Sequence, residues 1–250
     1  MNRNFLSTAL SLTSIKALAS ALLLACSVGL VHADADADAD ALTPYRAHYQ
    51  ISHDGLSTKA ERILERDGDH WRLSQHAKLF FFKVDEESKL EVHKGKLRPL
   101  SYRYENNVSS KKNLELTFDW AKQTVSDKQA KKPWQKALKP HFSDQLSAQL
   151  QLREMLIKGQ LDSQQNQTVV KRKGKLKTYG ISRIGEERIE TAMGTLQTVK
   201  LRKHRDGSSS ETFIWLAPEL NYLIVKLEQR EDDELYSMNL LSAEFDTPSR

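Results

Sequence analysis

Apolar and polar residues alternate along most of the chain with a period of two. Tyr45, Ala47, Tyr49 and Ile51 alternate with Arg46, His48, Gln50 and Ser52, the pattern of a strand that buries one face. His53-Asp54-Gly55 supplies a turn, residues 60–66 predict a second strand, and Asp67-Gly68 predicts a tight hairpin connection. Trp71, Leu73, Gln75, Ala77 and Leu79 form the inward face of a third strand. Short strands follow at 88–93, 100–104 and 114–120; in the last, Leu114, Leu116, Phe118 and Trp120 alternate with Glu115, Thr117 and Asp119. Closely spaced strands with turn signals between them predict an antiparallel meander rather than parallel β-α-β units.

The period changes after Pro140. Ser143 or Asp144 can cap a helix over residues 145–158, which Gly159 ends. Ser147, Gln151, Glu154 and Lys158 fall on one polar stripe, with Leu146, Leu150 and Ile157 on one flank and Leu152, Met155 and Leu156 on the other. So narrow a polar stripe predicts a helix that is mostly covered, lying across the sheet or plugging its open side. Strands return at 168–171, 176–182, 188–191, 195–203, 211–216, 222–229 and 235–245, with turns at Gly194, Asp206-Gly207 and Ala217-Pro218. Within 211–216, alternation assigns Phe213 and Trp215 to the inward face and Ile214 and Leu216 to the other. The expected fold class is mainly β: a strongly curved antiparallel sheet or partly open β-barrel of about ten or more strands, with one substantial α-helix against it. No linker interrupts the pattern, so one β-rich domain is expected over residues 45–246.

The first 44 residues read differently. Arg3 and Lys16 precede an almost wholly small or apolar run over residues 17–30, and Val31-His32-Ala33 supplies a small-x-small cleavage site. These are the parts of a secretory signal peptide over residues 1–33. The run is shorter than the roughly 20 residues of a membrane-spanning helix, so the mature chain is expected in the periplasm without a spanning anchor. Leu23-Leu24-Ala25-Cys26 faintly resembles a lipoprotein processing site, but Leu24 fits it poorly and the apolar run continues past Cys26. Residues 34–44 begin with alternating Asp and Ala and are expected to form a disordered spacer.

The chain carries a formal net charge of +5 and one cysteine, Cys26. A single cysteine excludes an intrachain disulfide, and removing the signal would leave a nearly balanced charge. The positive character is local, in the lysines between Lys111 and Lys139 and in Lys171-Arg172-Lys173-Gly174-Lys175-Leu176-Lys177. Without interleaved aromatics for base stacking these clusters do not point to nucleic acid. Solvated loops and hairpin ends are the favoured account, and attraction to an acidic membrane surface is the alternative.

No catalytic signature appears. The histidines stand in no His-Glu-x-x-His spacing, no Gly-x-Ser-x-Gly elbow is present, and no glycine-rich phosphate loop follows a strand. No metal and no cofactor are therefore expected. Glu86-Glu87, Glu186-Glu187 and Asp232-Asp233 are adjacent pairs that face opposite ways in a strand, which reads as turns and solvated edges. Leu79-Phe80-Phe81-Phe82 puts aromatic rings on both faces of a strand. One face is covered by the helix, by a partner or by a ligand, with helix burial the favoured account. The candidate ligand-binding residues are Phe80, Phe82, Leu152, Met155 and Leu156.

Several segments together resemble the bacterial envelope proteins grouped as domain of unknown function 3108. They are Gly95-Lys96-Leu97-Arg98-Pro99, Asp144-Gln145-Leu146-Ser147 with Arg153, Gly194-Thr195-Leu196-Gln197-Thr198-Val199, and Trp215-Leu216-Ala217-Pro218 followed by Tyr222-Leu223-Ile224-Val225-Lys226. The resemblance implies an exported, β-rich domain and leaves activity open. The function expected is non-catalytic, namely binding of an apolar or amphipathic envelope molecule such as a lipid, or of a protein partner, in cell-envelope upkeep. Its rivals are a hydrolase of an envelope or cell-wall polymer and a structural partner of an envelope complex.

Overall fold

The computed structural model describes residues 42–161 and 164–246. The expected signal peptide, and the expected spacer up to residue 41, lie outside the described residues. Leu42 is buried, and the Asp246 amide donates to the Pro44 carbonyl at 3.1 Å. Leu42 thus joins the core cluster, although it falls within the stretch expected to be a spacer.

Strands from Tyr45 to Phe245 join one sheet. In chain order they are β1 (Tyr45–His53), β2 (Leu56–Asp67), β3 (His70–Leu79), β4 (Phe82–His93), β5 (Lys96–Asn106), β6 (Leu114–Asp119), β7 (Thr124–Asp127), β8 (Trp134–Ala137) and β9 (Phe142–Ser143). The helix α1 (Gln145–Ile157) follows, then β10 (Gln164–Val170), β11 (Leu176–Thr191), β12 (Gly194–His204), β13 (Glu211–Ala217), β14 (Leu223–Glu231) and β15 (Glu234–Phe245). The spatial order is β8-β7-β6-β5-β4-β3-β2-β1-β15-β14-β13-β12-β11-β10-β9, so β1 and β15, at opposite ends of the sequence, pair near the centre. Every pairing is antiparallel except β9 with β10, where α1 supplies the crossover that a parallel neighbour requires. The sheet is open: β8 and β9 form its two edges and are not paired with each other.

Strands β7, β8 and β9 escaped the sequence reading because each is too short for a period to show. The two strands expected at 176–182 and 188–191 are one, β11, which stays continuous through a register shift at Arg183 and Gly185. Gly185, at φ 151°, takes a backbone shape that side-chain-bearing residues avoid.

Row matching across β1, β15, β14 and β13 puts Ile51, Met238, Leu227 and Ile214 in register on one face, the face of fully buried Tyr49. Trp215 is in register with Lys200 and Lys226 on the opposite face. The alternation therefore runs the other way from the expected one: Ile214 faces the Tyr49 side and Trp215 does not. Trp215 is nonetheless only 3% exposed, because Lys200 and Lys226 each place an ammonium 4.7 Å from its ring centroid and its indole N–H donates to Glu187 at 2.9 Å.

Helix α1 begins in a capping box. The Asp144 carboxylate accepts from the amides of Leu146 and Ser147, and the Ser147 hydroxyl accepts from the Asp144 amide. Gly159, at φ 61°, closes the other end. Of its apolar flanks, Leu146, Leu150, Leu152 and Leu156 are buried and Met155 and Ile157 partly so, but Ser147, Arg153 and Glu154 are buried as well. The polar stripe is bonded to the turn between β4 and β5. Gln151 donates to the Leu97 carbonyl at 3.0 Å, the Leu97 amide donates to Glu154 at 3.2 Å, and Lys158 donates to the Gly95 carbonyl at 2.6 Å. Arg153 ties the opposite side to Asn221 through bonds of 2.6 and 2.7 Å and lies over the Tyr45 ring. The helix is thus fixed on two sides, and the gap between Tyr45, Arg62, Leu150 and Leu223 is about 10 Å³, room for a single water.

Candidate functional site

A cleft of about 660 Å³ opens beside the N-terminus of α1. Its floor comes from β4 and β5. Val84, Glu86, Ser88 and Leu90 share one face of β4 by alternation, and this face points at the helix, so Glu86 is only 8% exposed. Tyr102 on β5 donates its hydroxyl to Glu86 at 2.5 Å, and Ser88 donates to the Asp144 carboxylate at 2.9 Å. Tyr104 and Leu114 add an aromatic and an apolar wall.

The other wall is cationic. Lys112 reaches it from the β5–β6 connection, Lys171, Arg172, Lys173 and Lys175 from the β10–β11 connection, and Lys177 from the start of β11. The two connections touch where Arg172 donates to the Lys111 carbonyl at 2.5 Å. Gly174, at φ 64°, lets the second one turn against β8; a Cβ there would stand 3.0 Å from the Trp134 ring. At the back, Lys171 hydrogen-bonds the Gln145 side chain at the start of α1.

Desolvation dominates the floor. Burial raises the Glu86 carboxyl above the ordinary range although Tyr102 and Arg62 oppose it, and burial with the adjacent Glu86 charge raises the Tyr102 phenol. Burial also lifts Asp144 to about 6, against hydrogen bonds from Ser147, Ser88 and Leu146 that pull the other way. Lys171 is pushed down by burial, with the Glu86 charge opposing. The result is a poorly hydrated floor with one acid under a mouth of positive charge, an arrangement that attracts anions. Asp144 is committed to the helix cap and Ser88, and Glu86 is the acid that lines the cleft.

The residues singled out from sequence fall in two places. Leu152 and Leu156 are buried and Met155 is packed against them in the core cluster. Phe80 is 78% exposed, Phe81 73% and Phe82 38%, at the turn from β3 to β4. The helix does not cover them, because it packs against the middle and far ends of β4 and β5. The basic cluster at 171–177 does form a hairpin end, as expected, but it lines a cleft as well. Glu86 was missed, since an acidic pair reads as a solvated edge; the available signal was its position four residues before buried Leu90, on the same strand face.

Among the described residues, His53, Asp54 and Glu234 converge with one ligand atom each within 4.8 Å of one another. All three are exposed, and His53 stands 3.6 Å from Asp54 and 3.4 Å from Glu234, an ion-pair geometry that needs no metal. No helix among the described residues is long and apolar enough to cross a membrane.

Comparison with known proteins sets this architecture in context. The crystal structure of a beta-barrel-like protein of domain of unknown function DUF1849 from Brucella abortus matches 82% of this chain and 98% of its own, at 12% identity and a TM-score of 0.53. The two share a fold. MucB, in the Pseudomonas aeruginosa MucA/MucB complex, matches 87% of this chain at 13% identity with a TM-score of 0.34, and the matched part spans 56% of the MucB chain. No curated protein sequence matches. The family model for the protein of unknown function DUF3108 matches residues 44–240, and the chain belongs to that family.

Proposed function

We propose that the protein binds an anionic amphipathic molecule of the cell envelope in the cleft beside the start of α1, and that it does so without catalysis. The observation that carries this reading is the pairing of a cationic mouth at residues 171–177 with Tyr102 in the floor and a wall of Tyr104 and Leu114. An anionic headgroup would meet the lysines and the adjoining apolar part the rings, in a volume within the range of small-molecule sites. Hydrolysis would call for a second carboxyl group in working position, and the nearest one caps a helix. In this reading residues 1–33 direct export to the periplasm, and the sheet curls around α1 as a partly open barrel whose edges approach at Arg172 and Gly174. A protein partner remains the second reading, since the fold alone does not distinguish ligands from partners.

Titration with the amphipathic anion 1-anilinonaphthalene-8-sulfonate tests the cleft. Uptake should saturate at one site and weaken with salt. The exposed double substitution Lys175→Glu/Lys177→Glu should weaken it by about tenfold or more, roughly 1.4 kcal/mol, whereas Glu86→Gln, which removes the ionisable acid of the floor, should not weaken it. Unsaturable uptake, or uptake indifferent to all three positions, would overturn the reading.

A further inference from the structure

The sheet end that carries the cleft also carries an exposed aromatic turn, and we propose that this end docks on an anionic lipid bilayer, with Phe80 and Phe81 entering the headgroup region and nearby lysines meeting the lipid charge. This goes beyond the cleft reading, because it assigns a membrane-facing surface and stands on other residues.

Turn chemistry is the first observation. The β1–β2 and β4–β5 connections use Asp54-Gly55 and Lys94-Gly95, all four residues at positive φ, as tight hairpins favour. The β3–β4 connection uses Phe80-Phe81, with Phe80 at φ 53°. A bulky aromatic in the left-handed region is sterically unfavourable, and burial does not repay it here, since both rings are more than two-thirds exposed. The turn is also held firmly in position. Asn107 donates to the Phe81 carbonyl at 2.6 Å and accepts from the Lys83 amide at 2.8 Å, and Thr58 donates to the Lys78 carbonyl at 2.5 Å. The rings are displayed on a braced tip, with Val108 exposed on the neighbouring connection.

Charge and topology select the occupant. Lys78 and Lys83 are exposed beside the rings, Lys83 sharing its charge with Asp85. The register of β4 with β5, and of β5 with β6, puts the 107–113 connection at the same end. The bond from Arg172 to Lys111 then ties the 171–175 turn to it. Glu86, in the cleft floor, is four residues along β4 from Phe82, roughly 13 Å. The acidic turn at Asp232 and Asp233 belongs to β14 and β15, several strands away in the ladder, so the docking face is the β3 to β6 side. A convex tip of two or three rings is far smaller than the roughly 1,000 Å² of a stable protein interface, whereas a bilayer accepts apolar tips ringed by cations.

Flotation with vesicles of equal parts phosphatidylethanolamine and phosphatidylglycerol tests the proposal, with phosphatidylcholine vesicles for comparison. The full chain should float with the anionic vesicles, more weakly in high salt. Phe80→Asn/Phe81→Ser should reduce partition by about tenfold or more, while its thermal midpoint is no lower, since asparagine suits the left-handed backbone. Lys175→Glu/Lys177→Glu should leave a Phe80-dependent component of vesicle binding even as probe uptake in the cleft falls, which separates failure of docking from failure of the cleft reading. A wild-type chain that stays unbound, or an aromatic variant that floats equally well, would overturn it. So would a concentration-dependent dimer lost in that variant without any vesicle binding, which would give the tip to a second copy.

Discussion

Trp215 illustrates how a residue can be buried while standing on the sheet face away from Tyr49. The cross-strand neighbours of Trp215 are Lys200 and Lys226, whose alkyl stems cover the indole while their ammonium groups sit over the ring. Glu187 neutralises part of that charge: it lies 2.9 Å from Lys200 and accepts from the indole, and those two side-chain bonds hold its carboxyl below the ordinary range. Truncation to Ala would remove the largest apolar body on that face, a change that costs about 3 to 5 kcal/mol at well-packed sites. Trp215→Phe keeps most of the area and loses the hydrogen bond, which predicts a smaller cost of about 1 kcal/mol, and denaturant melts of the two variants measure the difference. Equal losses would show that the indole N–H, rather than ring area, carries the stability. The alternation at 211–216 was legible in the sequence, but which of its two faces was inward was not, because both faces there are apolar; only pairing with Met238 and Ile51 decides it.

Helix α1 was the most legible element, in its cap, its length and its stop. The destination of its polar stripe was not legible. Gln151, Glu154 and Lys158 read as one narrow polar stripe on a mostly covered helix, and their partners are backbone groups of Gly95 in the β4–β5 turn and Leu97 at the start of β5, more than fifty residues earlier, contacts that no local period encodes. The cap carries a pH signature. Asp144 has a folded value of about 6 against an ordinary 3.8, so between those values the folded chain holds a proton that the unfolded chain has released. Its contribution to stability is fully present below about 4 and is lost as pH rises through about 6. Asp144→Asn keeps the acceptor oxygen and removes the titration. On passing from pH 7 to pH 5 the wild-type thermal midpoint should therefore rise relative to that of the variant, as scanning calorimetry at matched ionic strength would record. A relative fall would mean that the hydrogen bonds from Ser147, Leu146 and Ser88 outweigh burial.

Across the whole molecule, the open sheet leaves two edges, β8 and β9, and three of its connections meet at one end. The β10–β11 connection brings cations to the cleft, the β5–β6 connection meets it through Lys111, and the β3–β4 turn displays its rings at the same end. The sequence made the basic cluster visible but not its neighbour across the cleft, since Tyr102 and Lys171 are far apart along the chain. Native mass spectrometry of protein purified without detergent tests most directly the proposal that the cleft holds an anionic amphiphile. The expected spectrum contains a stoichiometric adduct with the mass of an anionic lipid or similar amphiphile, lost in Lys175→Glu/Lys177→Glu. A wild-type spectrum with the bare chain alone, unchanged after incubation with phosphatidylglycerol, would contradict the account.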